Sequence, residues 1–183
     1  MITYPDNVTC LADYIESVMQ RFADRPAYTA LGQTLTFAEI DSKSSALARY
    51  FVHEAKLTPG TRVAIQLPNL IQNPIVVYAA LRAGLVVVNT NPLYTEREMK
   101  HQFTDSGAKA LVILGDLLPK FTSIKNDTSI NTVITTSATE LLDPNTAPAL
   151  DGTVSLSQAV EIGKGLPQFE RPKIQLDDLA MLQ

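Results

Sequence analysis

Apolar residues near the start of the chain recur at intervals of three and four. Leu11, Tyr14, Ile15, Val18, Met19 and Phe22 fall on one face of a helix that Thr9 is placed to N-cap and that ends before Pro26. Residues 27–31 and 34–37 then read as two short strands joined at Gly32-Gln33, where glycine accepts positive φ without strain. Thr36-Phe37-Ala38-Glu39 has the spacing of a capping box: the hydroxyl and the carboxylate each satisfy an orphan backbone N–H. Ile40, Leu47, Tyr50 and Phe51 supply the apolar face of the helix that follows, to about Ala55.

From residue 62 the rhythm changes to alternating strands and helices. Pro59-Gly60 turns into a strand over 62–67, and Asn73 and Pro74 fit the N-cap and first position of a helix closed by Gly84. Residues 85–88 and 110–114 are near-continuous aliphatic runs, the pattern of parallel strands covered by helices on both faces, so they are predicted to be central. Between them Thr95-Glu96-Arg97-Glu98 forms another capping box. It opens a helix that turns Met99, Gln102 and Phe103 inward and closes near Gly107.

Residues 116–124 and 132–135 read as a further helix and strand, and 137–153 as a loop. Ser155-Leu156-Ser157-Gln158 caps a short helix, a charged stretch lies between Pro167 and Pro172, and Leu179-Ala180-Met181-Leu182 reads as a buried strand beginning. The expected fold is α/β, a layered, mostly parallel sheet flanked by helices with right-handed crossovers. Because the last strand stops at Gln183 without a crossover, 1–183 is expected to be the front of a larger unit, incomplete at its C-terminus.

Composition narrows the function classes. An apolar share of 45% is that of a globular protein, and a formal charge of -4 with scattered Lys and Arg gives no nucleic-acid footprint. The single cysteine, Cys10, and a start with neither a basic nor an apolar segment point to a cytoplasmic setting. The apolar run 75–81 is too short to span a bilayer, which leaves peripheral contact with the inner membrane face open. The triplets Asn7-Val8-Thr9 and Asn126-Asp127-Thr128 read as chance matches to a glycosylation pattern.

Candidate chemistry is sparse. The turns after the strands lack the glycines of a dinucleotide fingerprint, and there is no Walker A loop. Ser106 and Lys109 match a Ser-x-x-Lys spacing but straddle a helix end, so they share no helical face. His53 and His101 are expected as solvated surface histidines. Glu96 and Glu98 complement a helix dipole, Asp177 and Asp178 are turn residues, and Cys10 is a buried bystander at a helix start. The best functional candidate is the loop Asn89-Thr90-Asn91-Pro92-Leu93-Tyr94, at the carboxyl end of a central strand where open α/β sheets place ligands. A loop whose Asn side chains satisfy its own turn is the equal alternative.

Pro59-Gly60-Thr61-Arg62-Val63-Ala64-Ile65, then Pro68-Asn69 through Arg82-Ala83-Gly84, then Val88 through the Asn-Pro-Leu-Tyr-Thr stretch to Glu98, together resemble the N-terminal part of AMP-forming acyl-CoA synthetases. The closest likeness is to bacterial long-chain fatty-acid–CoA ligases. It runs from the opening helix, through Leu35-Thr36-Phe37-Ala38-Glu39-Ile40, to Leu179-Ala180-Met181-Leu182-Gln183, and is weakest over 135–172.

The resemblance implies ATP, Mg²⁺ and coenzyme A as cofactors of the intact parent, a fatty acid as substrate, and adenylation followed by thioester formation. It implies that the phosphate loop, the rest of the AMP-binding domain and a C-terminal lid domain lie beyond Gln183. On that account 1–183 is an N-terminal subdomain, with the missing C-terminal part as its partner and homodimer formation open. No catalytic, cofactor-binding or metal-binding residue is assigned within it, no cofactor is expected to bind it tightly, and it is expected to be inactive alone. The alternatives are a ligase for another acid, a non-catalytic α/β binding module, or an interaction domain using an exposed sheet edge.

Overall fold

The structure is a computed structural model that describes residues 8–148 and 151–183; Asn7 of the first glycosylation-like triplet lies outside them. The elements are α1 (Leu11–Arg21), β1 (Pro26–Ala30), β2 (Gln33–Thr36), α2 (Phe37–His53), β3 (Arg62–Gln66), α3 (Gln72–Arg82) and β4 (Val86–Asn89). They continue with α4 (Glu96–Ser106), β5 (Ala110–Leu114), α5 (Leu118–Ile124), β6 (Thr132–Thr136), β7 (Val154–Ser155), α6 (Leu156–Gly165) and β8 (Met181–Leu182). β1 and β2 form an antiparallel hairpin. The other strands make a six-stranded sheet in the order β7-β6-β5-β3-β4-β8, every pairing parallel.

The uninterrupted aliphatic runs follow from this layering. Side chains alternate across a strand, so a strand with helices on both faces must be apolar at every position. Val63, Ile65, Val87 and Val112 pack on Ile40, Leu47 and Phe51 of α2, on Ile75, Val76 and Ala79 of α3, and on Leu156 and Val160 of α6. Ala64, Val88, Leu111 and Ile113 face the other way, onto Met99 and Phe103 of α4 and Phe121 and Ile124 of α5. α2 and α6 approach so closely that a Cβ on Gly163 would lie 1.9 Å from the Ala46 carbonyl oxygen, and the Arg49 Nε donates to the Gly163 carbonyl at 2.7 Å.

All three capping boxes form, at Thr36/Glu39, Thr95/Glu98 and Ser155/Gln158. In the first two the carboxylate accepts from the threonine backbone N–H and then from its hydroxyl, which holds Glu39 and Glu98 below the ordinary glutamate range.

Several local expectations are corrected. The hairpin turns at Leu31-Gly32, one residue early, and Leu31 itself adopts positive φ (51°). Cys10, not Thr9, is the N-cap of α1; the Thr9 hydroxyl instead bonds the Asp13 carboxylate and, as the largest influence, holds it below its ordinary value. On α1, Leu11 and Tyr14 stay exposed while Ala12 and Met19 are buried, so the buried stripe is narrower than the apolar one. α3 starts at Gln72 with Ile71 as N-cap, leaving Pro74 inside the first turn, where a proline's missing N–H still costs nothing. His53 is half-buried, its ring edge-on to Phe169 rather than solvated. β8 is not buried: Leu179 and Met181 are largely exposed, because the edge strand has no covering layer among the described residues.

A strap over residues 166–180 connects α6 to β8 across the α1/α3 side. The Arg171 guanidinium bonds the carboxylates of Asp13 and Glu16. Arg82 of α3 reaches Glu16 at 2.8 Å and also Asp41 of α2. Glu16 thus lies between two arginines, and one charge network ties three helices to the strap. Pro172 crosses Gly84 where no larger residue fits, since a Cβ would meet its ring at 2.6 Å and φ is +70°.

Candidate functional site at the carboxyl ends of the strands

Parallel strands bring their carboxyl ends to one rim, here formed by residues 67–71 after β3, 89–95 after β4, and the end of β8. The 89–94 loop is rigidly held there. The buried Thr90 donates its N–H to the Ile65 carbonyl at 3.0 Å. The Asn91 Oδ1 accepts from the Leu93 N–H at 2.9 Å, and its carbonyl accepts from the Tyr94 N–H at 3.1 Å, so Asn91 closes its own turn.

Two glutamine amides brace this turn from outside the loop. Gln66, 0% exposed at the end of β3, donates Nε2 to the Asn91 carbonyl at 3.2 Å; Gln102 of α4 donates to the Asn89 carbonyl at 3.1 Å. The inward turn of Gln102 agrees with its helix spacing, whereas the sequence marks Gln66 only as part of a strand. A polar residue ending an aliphatic run was the signal for it. The two carbonyls are fixed in this way, and Leu93 is thrust outward at 85% exposure.

Two hollows lie beside the end of the chain at this rim. One of about 490 Å³ is lined by Tyr28, Asn69, Asn73, Tyr78 and Met181. There the Tyr28 and Tyr78 hydroxyls bond each other, and burial, then that contact, pushes the Tyr78 hydroxyl well above the ordinary phenol range, so it stays protonated. The other, an open basin of about 810 Å³, is lined by Tyr94, Arg97, His101, Gln102, Asp105 and Gln183.

Of the other sequence candidates, His101 and Glu98 line the open basin and the rest lie apart from the rim loop. Glu98 is engaged in its cap and Glu96 is exposed beside it; Ser106 donates to the Gln102 carbonyl, while Lys109 is exposed at the opposite end of the sheet. The Asp178 carboxylate accepts from the Gln175 N–H, as a turn residue does, and Asp177 is exposed next to it. Cys10 is a buried free thiol at the far end of the molecule. Among the described residues no group of three His, Cys, Asp or Glu could hold a metal, and the rim has no lysine-bearing glycine-rich turn, so its donors do not fit Mg²⁺ or a triphosphate by themselves. What the rim offers is a rigid, partly apolar wall with fixed carbonyls and amides.

This layered α/β architecture is shared with adenylate-forming enzymes. An anthranilate CoA ligase bound to anthranoyl-AMP superposes with a TM-score of 0.82 over 97% of this chain and 32% of that one, at 14% identity. A long-chain-fatty-acid-CoA ligase from Archaeoglobus fulgidus gives 0.78 over 98% and 34%, at 23% identity. In sequence, the chain is 34% identical over 98% of its length to a long-chain-fatty-acid--CoA ligase of Escherichia coli O6:H1, and spans 35% of that protein. Residues 15–183 match the AMP-binding enzyme family, and the chain belongs to it. It spans about a third of the length of the curated relatives it matches.

Proposed function

We propose that residues 1–183 are the N-terminal subdomain of a long-chain fatty-acid–CoA ligase. In the whole enzyme a fatty carboxylate attacks the α-phosphorus of ATP, releasing pyrophosphate, and coenzyme A displaces AMP from the acyl-adenylate to give the thioester. An unactivated carboxylate has no adequate leaving group, and adenylation supplies one. ATP, Mg²⁺ and coenzyme A are cofactors of that whole enzyme; the groups that grip the triphosphate belong to chain beyond Gln183.

The observation that carries this reading is the rim. β8 pairs in parallel with β4 and delivers Gln183 beside the braced 89–94 loop. On this reading the phosphate loop begins at that point. The part played by 1–183 is therefore positional: β3, β4 and β8 set the start of the phosphate loop, and the 89–94 loop forms one wall of the cleft. Wall and loop must be held rigid, because electrostatic stabilisation of developing charge depends on groups already in place.

No helix among the described residues is long and apolar enough to cross a membrane. We place the protein in the cytoplasm, where the buried free thiol of Cys10 persists, with its lipid substrate met at the inner membrane face.

Fatty-acid-dependent exchange of pyrophosphate into ATP tests the proposal. The 183-residue chain is expected to give none above background with palmitate, and a polypeptide extended along its reading frame is expected to give robust exchange and palmitoyl-CoA. Exchange by the short chain alone would overturn the positional role. An extended polypeptide that ignores every long-chain acid would overturn the substrate assignment.

A further inference from the structure

Among the described residues five buried side-chain nitrogen or oxygen atoms have no hydrogen-bond partner, and two of them are the Oε1 atoms of Gln66 and Gln102, the glutamines that hold the 89–94 loop. The other three sit on three different segments, at His53, Arg82 and Glu140. Gln66 is fully buried, and Gln102 shares the inward face of α4 with Met99 and Phe103, which are fully buried too. Gln66 follows Ala64 by two residues and so takes the strand face that packs on α4. Both amides thus lie on one side of the sheet and hold carbonyls two residues apart in the same loop.

A carbonyl can be met only by the NH₂ end of a carboxamide, so the loop fixes the orientation of both side chains and leaves the oxygen as the atom without a partner. Burying an amide oxygen unpaired costs at least as much as one neutral hydrogen bond contributes, so neither glutamine stabilises the fold beyond what a methionine of the same length would. The Asn91 carbonyl, moreover, already accepts from the Tyr94 N–H at 3.1 Å, and the Gln66 bond is not needed to satisfy it. What both bonds change is where the loop backbone sits. Gln102 also lines the basin that Gln183 lines, so one of the two pins is set beside the point where β8 ends.

We propose that Gln66 and Gln102 are positioning residues: they pin the Asn91 and Asn89 carbonyls and so set the 89–94 wall against the end of β8, at a cost to the stability of the fold. Polar groups left unpaired at positions where an apolar side chain would serve the fold as well mark a functional constraint. The inference deepens the ligase reading and rests on it for the step affected, which is adenylation. That step needs the wall and the phosphate loop in register around a triphosphate. Coenzyme A, by contrast, attacks an acyl-adenylate from which pyrophosphate has already left. Loss of the pins therefore slows the first step and spares the second.

The polypeptide extended along its reading frame, compared with its Gln66→Met/Gln102→Met variant, tests this. Methionine keeps the length of glutamine and offers no N–H donor. The variant's urea midpoint is expected to equal or exceed the parent's. The backbone amides of Leu93 and Tyr94 should exchange with deuterium roughly tenfold faster while those of β5 are unchanged, as for a loop released locally. Turnover in palmitate-dependent pyrophosphate exchange should fall roughly tenfold with the KM for palmitate unmoved, the signature of a misplaced group rather than of lost binding. Conversion of supplied palmitoyl-adenylate and coenzyme A to the thioester should stay within about twofold of the parent, since no triphosphate takes part. The positioning role is overturned if loop exchange is unchanged, if adenylation turnover holds, or if stability and both steps fall together, which would mean a purely structural bond. A parent that makes no palmitoyl-CoA overturns the ligase reading alone, and the deuterium comparison then still decides whether the two glutamines place the loop.

Discussion

β3 and β8 belong to one parallel sheet, yet they are differently placed. β3 has strands on both sides and helices on both faces, and Ile65 is 1% exposed; among the described residues β8 pairs with β4 alone, and Met181 is 40% exposed. Both are apolar in sequence. An aliphatic run therefore reports that a strand is meant to be covered, and the cover is present for one and absent for the other among the described residues. An interior strand contributes stability, whereas an edge strand presents unpaired backbone groups to a partner.

The largest test of this contrast is a pair of truncations. Ile65→Ala should cost roughly 2–5 kcal/mol in urea unfolding, the usual range for a fully buried aliphatic. Met181→Ala should cost less than about 1 kcal/mol, and equal losses would abolish the distinction. Next comes the crossing that seals the covered face: Gly163→Ala should destabilise by about 1–3 kcal/mol, since the Ala46 carbonyl is backbone and cannot swing aside. Thr36→Ala, which removes one cap of the covering helix α2, should cost about 1 kcal/mol.

Acid should act on the same caps. Glu39 titrates below its ordinary 4.5 in the folded chain, so the unfolded chain takes up the proton first as pH falls. Its contribution is whole above the ordinary value and is lost as pH drops through the lower folded one. Unfolding midpoints should therefore hold steady down to about pH 5 and then decline, with a smaller decline in Glu39→Gln. The smallest effect belongs to the edge: Met181→Lys should leave stability within about 0.5 kcal/mol but reduce concentration-dependent self-association in sedimentation, because an edge lysine opposes strand pairing.

Sequence reading went furthest where one local rule governs. The capping boxes at Thr36, Thr95 and Ser155 and the two-faced strands at 85–88 and 110–114 depend on local pattern alone, and all formed, the first of the strands as Val86–Asn89. It failed where distant chain decides. Leu31 at positive φ breaks a residue-level preference to suit the hairpin twist. The charge network of Asp13, Glu16, Asp41, Arg82 and Arg171 has no sequence spacing to announce it, and His53 is half-buried because Phe169 arrives from the strap. At the rim, the loop's position was legible from strand order, and so was its self-closing Asn91. The bracing by Gln66 was not, because a polar residue at a strand end is ordinary until the neighbouring loop is seen to land on it.

The arginine network bears on where the gene is cut for expression. The family match starts at residue 15, and a polypeptide begun there would keep Glu16 but discard Asp13, Ala12 and Cys10. Arg171 would retain one anion of two, the apolar wall behind Leu81 would be stripped, and the strap leading to the sheet's last strand would be left half-moored. A start codon placed ahead of Val8 keeps that mooring whole.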